Sequence, residues 1–387
     1  MKVTKTIKAA VVHLTKTKEG LLNREYDALQ AYLHGSNEVE LYSANKQQAK
    51  RFYKKIKPDK EYPLSIRKDL LRIEKRDTKI AKYWARVPVK GKKGGVWIAI
   101  KPHCDFPDKY EICESKLIRD NGRFFLNITI QKDIEVKYPS EFSKIAVIAC
   151  DLGETNPITS VELREGRIFN PKFSGADIRK IRAHYNHIRK GIGKKKVKHA
   201  LRIIKKIGHK EKRKVRDILH KETTKIVNRA KELREEGYEP IIVIGKLKGL
   251  RRPHKKYVAR CRKNNRKVHS MPSYMITEML KYKANWEGIP AVQVNEAWSS
   301  QKCHVCQEIG RRNKRLFVCL NPMCEIKEYN ADLNGAINIG NRFLDHWLRN
   351  RALVDMPLSS RVSRISDEEN ALEKQSTMEE PTELVQW

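Results

Sequence analysis

The first third of the chain is dominated by short apolar alternations. Residues 3–13, VTKTIKAAVVH, are β-branched and partly alternating, which predicts a strand. Residues 17–60 read as basic helix with Leu21, Leu22, Leu29 and Leu33 as an apolar stripe. From Gly94 to about Val136 the pattern returns to strands, VWIAIKPH and KLIRDNGRFFLNITIQKDI, with Asn121-Gly122 as a hairpin turn between two such runs. These elements predict an N-terminal module with a small β-barrel and a helical insertion.

At Ile145 the pattern shifts. IAVIACDLG opens as an unbroken apolar run, as a strand buried on both faces requires, and the run ends at Asp151. Residues 174–236 predict a long helical region dense in Lys and Arg, broken near Gly191–Gly193. Pro240–Ile244 and Ala291–Val294 predict two more buried strands, residues 273–286 a helix between them, and residues near 333–348 a last helix. Strands alternating with helices predict an α/β domain with a largely parallel sheet.

Charge narrows the partners. The 387 residues hold 82 Lys+Arg against 46 Asp+Glu, a formal net charge of +36. Self-repulsion opposes folding at such a charge, so a polyanion is the expected counterpart, nucleic acid before an acidic membrane surface. Basicity alone fits a ribosomal or chromatin protein equally well. No apolar stretch reaches the ~20 residues of a membrane span, and MKVTKTIKAAVVHLTKTKEG lacks the core and cleavage site of a signal peptide. From Asp355 the composition turns acidic, with eight Asp/Glu against three Lys/Arg, which predicts a disordered tail over 355–387.

Four of the eight cysteines gather at Cys303, Cys306, Cys319 and Cys324. Two paired knuckles twelve residues apart deliver four thiolates in the tetrahedral set that zinc prefers. A closed shell of four sulfurs makes such a zinc structural. His304, inside the first knuckle, is expected at the surface and not as a ligand.

Two acids stand out. Asp151 closes a buried strand, a costly place for a carboxylate unless a cation lies there. Asp332 sits in YNADLNGAINIGNR at the start of a helix, where an ordinary N-cap explains it as well as a metal site does. Hydrolysis of phosphodiesters by two metals needs carboxylates fixed at the ends of rigid strands.

In sequence order, CDLGETNPITSV, IIVIGKLKGL, the cysteine knuckles and ADLNGAINIGNR resemble the RuvC motifs and zinc ribbon of the TnpB/OrfB family, which includes Fanzor proteins and type V CRISPR effectors. The likeness covers roughly residues 145–345, and KRKVRDILHKETTKIV resembles the helix between the first two motifs. It implies an RNase H-like RuvC nuclease domain over 141–302 and 325–354 with a zinc ribbon inserted at 303–324. A wedge β-barrel over 1–140, with a helical recognition insertion at about 15–80, would precede it. One departure matters: the family's second motif carries a Glu after its strand, and here the strand ends Ile244-Gly245-Lys246. Glu296, just after the next strand, is the candidate to fill that corner, as in relatives with a relocated Glu. Glu154 and Glu239 are weaker candidates. The resemblance thus implies magnesium held by Asp151, Glu296 and Asp332, with Asp151 bridging two ions.

The same resemblance implies a guide RNA, a double-stranded DNA target next to a short flanking motif, and a monomer holding one RNA. It also implies a prokaryotic cytoplasmic setting, at the nucleoid, and a nuclear one if the chain were a eukaryotic Fanzor. Residues 179–216 and 251–267 are expected to line a cationic channel. GKKKVK (193–198) is expected on phosphate sooner than as a nuclear import signal. Lys54 and Lys55 fall in an expected helix, with Phe52 and Tyr53 as core. The alternatives are a nuclease-dead RNA-guided repressor and a zinc-ribbon RNA-binding protein without DNA chemistry.

Overall fold

The computed structural model describes residues 1–36, 38–58, 60–194, 198–246 and 271–354. The expectations for 251–267, for most of the GKKKVK run and for the tail 355–387 lie outside these residues. The chain divides into two compact units, Met1–Val136 and Lys137–Trp387.

The first unit holds β1 (Lys2–Val12), α1 (Lys16–Leu33), α2 (Ser43–Phe52), β2 (Leu64–Ile66), β3 (Arg72–Lys75), β4 (Tyr83–Val87), β5 (Val96–Pro102), β6 (Glu111–Ile112), β7 (Ser115–Asp120) and β8 (Arg123–Asp133). The strands form one antiparallel sheet in the order β2-β7-β8-β1-β5-β4-β3, with β6 on β8. Asn121 and Gly122 both take positive φ, 51° and 74°, in the two-residue turn between β7 and β8, as the right-handed twist of a hairpin favours. The helical stretch expected over 17–60 is two helices that end at Phe52. Lys54 and Lys55 therefore lie past the helix, because Tyr53 turns the chain out at φ −111° and ψ 83°. Phe52 is also not core: it is 39% exposed beneath Lys116 and Arg51. Buried Glu25 ties α1 in place, its carboxylate accepting from Tyr42 N (3.0 Å), Asn45 Nδ2 (2.7 Å) and Lys90 N (2.7 Å).

The second unit holds β9 (Ile145–Asp151), β10 (Ile158–Arg164), β11 (Arg167–Ser174), α3 (Asp177–Lys194), α4 (Ala200–Glu235), β12 (Glu239–Lys246), α5 (Ser273–Trp286), β13 (Ala291–Asn295), β14 (Arg311–Asn313), β15 (Leu316–Val318), β16 (Glu328–Asn330) and α6 (Ala331–Val354). Its five-stranded sheet runs β11-β10-β9-β12-β13. β9, β12 and β13 are mutually parallel, while β10 and β11 return antiparallel. The sheet is therefore mixed where a largely parallel one was expected, because a hairpin, β10–β11, follows β9 directly.

The unbroken apolar run of β9 has a direct cause. Ala146, Ile148 and Cys150 face a core shared with α4 and α5, and Ile145, Val147 and Ala149 face one shared with α6. β13 differs from expectation: it lies at the sheet edge and is only half covered. Gly191 and Gly193 lie within α3, and the helical break comes after them. No helix among the described residues is long and apolar enough to cross a membrane.

Candidate active site

Three carboxylates reach one corner of the second unit from three elements. Asp151 ends β9, the middle strand, flanked by Thr159 of β10 and by β12. Burial pushes its carboxyl up to about 7, helped by the charge of Asp332 and opposed by Arg312.

Asp332 is the second residue of α6. The cap of that helix is Asn330, whose Oδ1 accepts from the N–H groups of Asp332 (3.0 Å) and Leu333 (3.1 Å). The N-cap explanation for Asp332 is thereby replaced, and its own carboxylate is free to point elsewhere. Oδ2 accepts from Asn156 Nδ2 at 3.1 Å and Oδ1 from Arg312 Nη2 at 2.8 Å. One turn along the helix, Gly335 faces Asp151; a Cβ there would stand 3.3 Å from Asp151 Oδ2.

Glu296 follows β13, whose register on β12 sets Val294 beside Gly245 and Asn295 beside Lys246. A Cβ at position 245 would lie 2.6 Å from Glu296 Oε2 and 2.8 Å from Ile339 Cδ1. The glutamate thus occupies the volume that a side chain at 245 would need. Its Oε2 is buried without a hydrogen-bond partner among the described residues. Burial first, and Asp151 second, push the Glu296 carboxyl up to about 7. The weaker candidates are elsewhere: Glu154 is exposed, and Glu239 starts β12 at its opposite end, accepting from Ser140 Oγ at 2.8 Å.

Next to this corner, the sulfurs of Cys303, Cys306, Cys319 and Cys324 all lie within 4.8 Å of one another. Among the described residues no other three His, Cys, Asp or Glu side chains are so tightly gathered, and the three carboxylates are spread more widely. Four thiols packed with buried Phe317, which lies on β15 of the small antiparallel sheet β14-β15-β16, suit a structural zinc. The backbone N–H of Glu308 pulls Cys306 down to about 7, toward the thiolate that a metal binds.

His304 is not at the surface as expected. It is buried and packed at 4.5 Å, tilted by 43°, against Tyr329, with Nδ1 2.9 Å from Asn334 Oδ1. An amide oxygen only accepts, so Nδ1 carries the proton. Burial holds this imidazole below its ordinary pKa, and it takes no part in the sulfur cluster.

Sequence reasoning missed Arg312, Asn156 and Asn330. Arg312 comes from β14, inside the cysteine-rich insert, and only the basic run Arg311–Arg315 hinted at it. Of the expected channel walls, Arg179–Lys194 and Ala200–Arg216 are helical, the second largely exposed, with Arg189 paired to Glu211.

Known proteins share parts of this chain. Residues 274–339 match the family model described as Cas12f1-like, TNB domain. The CRISPR-associated endodeoxyribonuclease Cas12f2 of Micrarchaeota archaeon (strain CG1_02_47_40) is 34% identical over 77 residues, which is 18% of this chain and 14% of that protein. The TnpB-like protein MJ0751 of Methanocaldococcus jannaschii is 24% identical over 213 residues, 52% of this chain and 73% of the relative. Among solved structures, a cryo-EM Cas12f1–sgRNA–target DNA complex aligns with a TM-score of 0.47 and 13% identity, over 84% of this chain and 81% of that one.

Proposed function

We propose that the chain is a TnpB/Cas12-like protein, an RNA-guided DNA endonuclease whose third catalytic carboxylate is Glu296. The second unit is read as an RNase H-like RuvC domain: its sheet has an antiparallel three-strand meander followed by two parallel strands, with the acids at one end. The cysteine sheet is its inserted zinc ribbon. The first unit is read as the wedge β-barrel, with α1 and α2 as its recognition helices, taking up the flanking DNA motif.

The observation that carries the reading is the filled corner at Gly245. A dead site has no need to bury a carboxylate oxygen without a partner 2.6 Å from where residue 245 would place its Cβ. An unpaired buried acceptor costs about 1–3 kcal/mol, and a cation removes that cost. Two raised carboxyls beside a third acid are the donor set that a divalent ion suits. Asp151, Glu296 and Asp332 would hold magnesium. Bound magnesium would supply the Lewis acidity that activates water and steadies the leaving oxygen.

The protein's own groups do the rest. β9 fixes the direction of Asp151, and Asn156 orients the Asp332 carboxylate. Arg312 screens that carboxylate and presents a guanidinium where a scissile phosphate would pass. The basic faces of α3 and α4 would grip a guide–target heteroduplex through its backbone, leaving sequence choice to base pairing.

The test begins by purifying the chain with co-expressed RNA, sequencing that RNA and building the matched target. Wild type should cut it in magnesium. Glu296→Ala should retain the RNA and lose cleavage. Normal cutting by Glu296→Ala would overturn the assignment.

A further inference from the structure

Glu296 stands on a loop, unlike Asp151 on a strand and Asp332 on a helix, so something must hold that loop to tolerance. Side chains at 334, 338 and 342 share one face of α6, since each is four residues beyond the last. All three donate to carbonyls of the segment that carries Glu296. Arg342 Nη1 donates to the carbonyl of Asn295, and Nη2 to that of Ala297 at 2.8 Å. Asn338 Nδ2 reaches the carbonyls of Ser299 and Lys302, both at 2.8 Å. Asn334 Nδ2 reaches the carbonyl of Lys302 at 2.7 Å. Ser299 N in turn donates to the carbonyl of Glu296 itself at 3.0 Å. From Asn338 to the backbone of Glu296 there are thus two hydrogen bonds.

The opposite ends of these amides are also used. Asn334 Oδ1 accepts from His304 N (3.0 Å) and His304 Nδ1 (2.9 Å), and Asn338 Oδ1 from Gln307 Nε2 (3.3 Å). The same face of α6 therefore grips the Glu296 loop and the first cysteine knuckle together. Asn334 and Asn338 are buried, so the bonds they make are shielded from competing water. Within the loop, Trp298 is held at φ 65°. A bulky residue keeps that conformation only where its surroundings impose it. A loop left to itself would relax away from that conformation, and Glu296 with it.

We propose that Asn334, Asn338 and Arg342 are positioning residues that set Glu296 against Asp151 and Asp332 for divalent-metal binding. The proposal rests on the reading of Glu296 as a metal-holding acid, and the experiment separates the two. The probe is Mn²⁺, titrated calorimetrically into the full-length chain freed of RNA, for wild type, Glu296→Ala, Asn338→Ala, Arg342→Ala and the Glu296→Ala/Asn338→Ala double variant. Asn338→Ala and Arg342→Ala should each weaken Mn²⁺ about tenfold, the usual effect of removing support behind a ligand. Zinc content and guide-RNA affinity should stay at wild-type values. In the Glu296→Ala background, Asn338→Ala should add nothing, since the group it positions is gone.

Arg342 is only half-buried, so its variant serves if loss of Asn338 destabilises the fold. Wild-type Mn²⁺ affinity in both Asn338→Ala and Arg342→Ala, with Glu296→Ala impaired, would overturn the positioning role and leave the functional reading standing. A full additional loss in the double variant would overturn it too. Wild-type Mn²⁺ binding by Glu296→Ala would remove both.

Discussion

The two metal-competent clusters of the second unit are neighbours built on opposite plans. The thiolate cluster draws all four ligands from 22 residues of chain, and its sulfurs crowd within 4.8 Å. The carboxylate cluster draws three acids from β9, the loop after β13, and α6, separated by more than a hundred residues at the widest step. Local turns assemble the first; the sheet and its covering helix must be complete before the second exists. A cluster made by spacing alone is a staple. One made by a fold can be tuned, because each ligand has separate support.

Variants that empty the carboxylate corner should break this contrast most sharply. Asp151→Ala or Asp332→Ala should lower cleavage by on the order of 10³-fold or more, about 4 kcal/mol at ~1.4 kcal/mol per decade. Zinc content and bound RNA should not change. Cleavage of a matched target and metal analysis of the same sample decide it.

Breaking the thiolate cluster should act in the other direction, from structure to chemistry. Cys306→Ser should cost several kcal/mol of the ~10–16 kcal/mol that a four-ligand zinc site contributes. Arg312 and the knuckle on Asn334 should then be released. The expected outcome is zinc-free protein in which cleavage falls although all three acids remain, read by thiol-release assay and cleavage rate. Normal cleavage without zinc would separate the two clusters completely.

Proton competition sharpens the comparison further. Asp151 and Glu296 hold their protons up to about 7, well above the ordinary carboxylate range. Folded-state values above the unfolded ones mean that metal-free protein loses stability as pH rises from about 4 toward 7. Magnesium must displace those protons, so its apparent affinity should climb about tenfold per pH unit for each proton displaced, then level off above 7. Thermal unfolding across pH 5–8, with and without added magnesium and with no chelator to strip zinc, measures both slopes. A flat magnesium affinity from pH 5 to 8 would contradict two carboxyls held protonated by burial.

The smallest change is one methyl. Gly245→Ala would set a carbon 2.6 Å from Glu296 Oε2 and 2.8 Å from Ile339 Cδ1. Overpacking of this kind costs typically 1–3 kcal/mol. The glutamate should be displaced, cutting the cleavage rate severalfold with guide binding intact.

Legibility in the sequence divides along the same line. The cysteine knuckles, the apolar run into Asp151 and the helix at 273–286 were legible because their signals are local in spacing or periodicity. The hairpin β10–β11 was not, since buried Thr159, Ser160 and Glu162 interrupt its apolar pattern. Glu162 is tolerated there because Arg229 Nε donates to it at 2.8 Å and Asn170 Nδ2 at 2.9 Å, partners from α4 and β11 that no local window includes. His304 looked like a surface residue because its partner, Asn334, is thirty positions away. Arg312 was invisible for the same reason. Glu296 was singled out through a missing residue elsewhere, not through any pattern of its own.

Manganese anomalous scattering from crystals of the guide- and target-bound protein tests the central claim most directly. The account predicts two peaks sharing Asp151, one also held by Glu296 and the other by Asp332. Peaks at Asp151 and Asp332 with the Glu296 carboxylate turned away from both would contradict it.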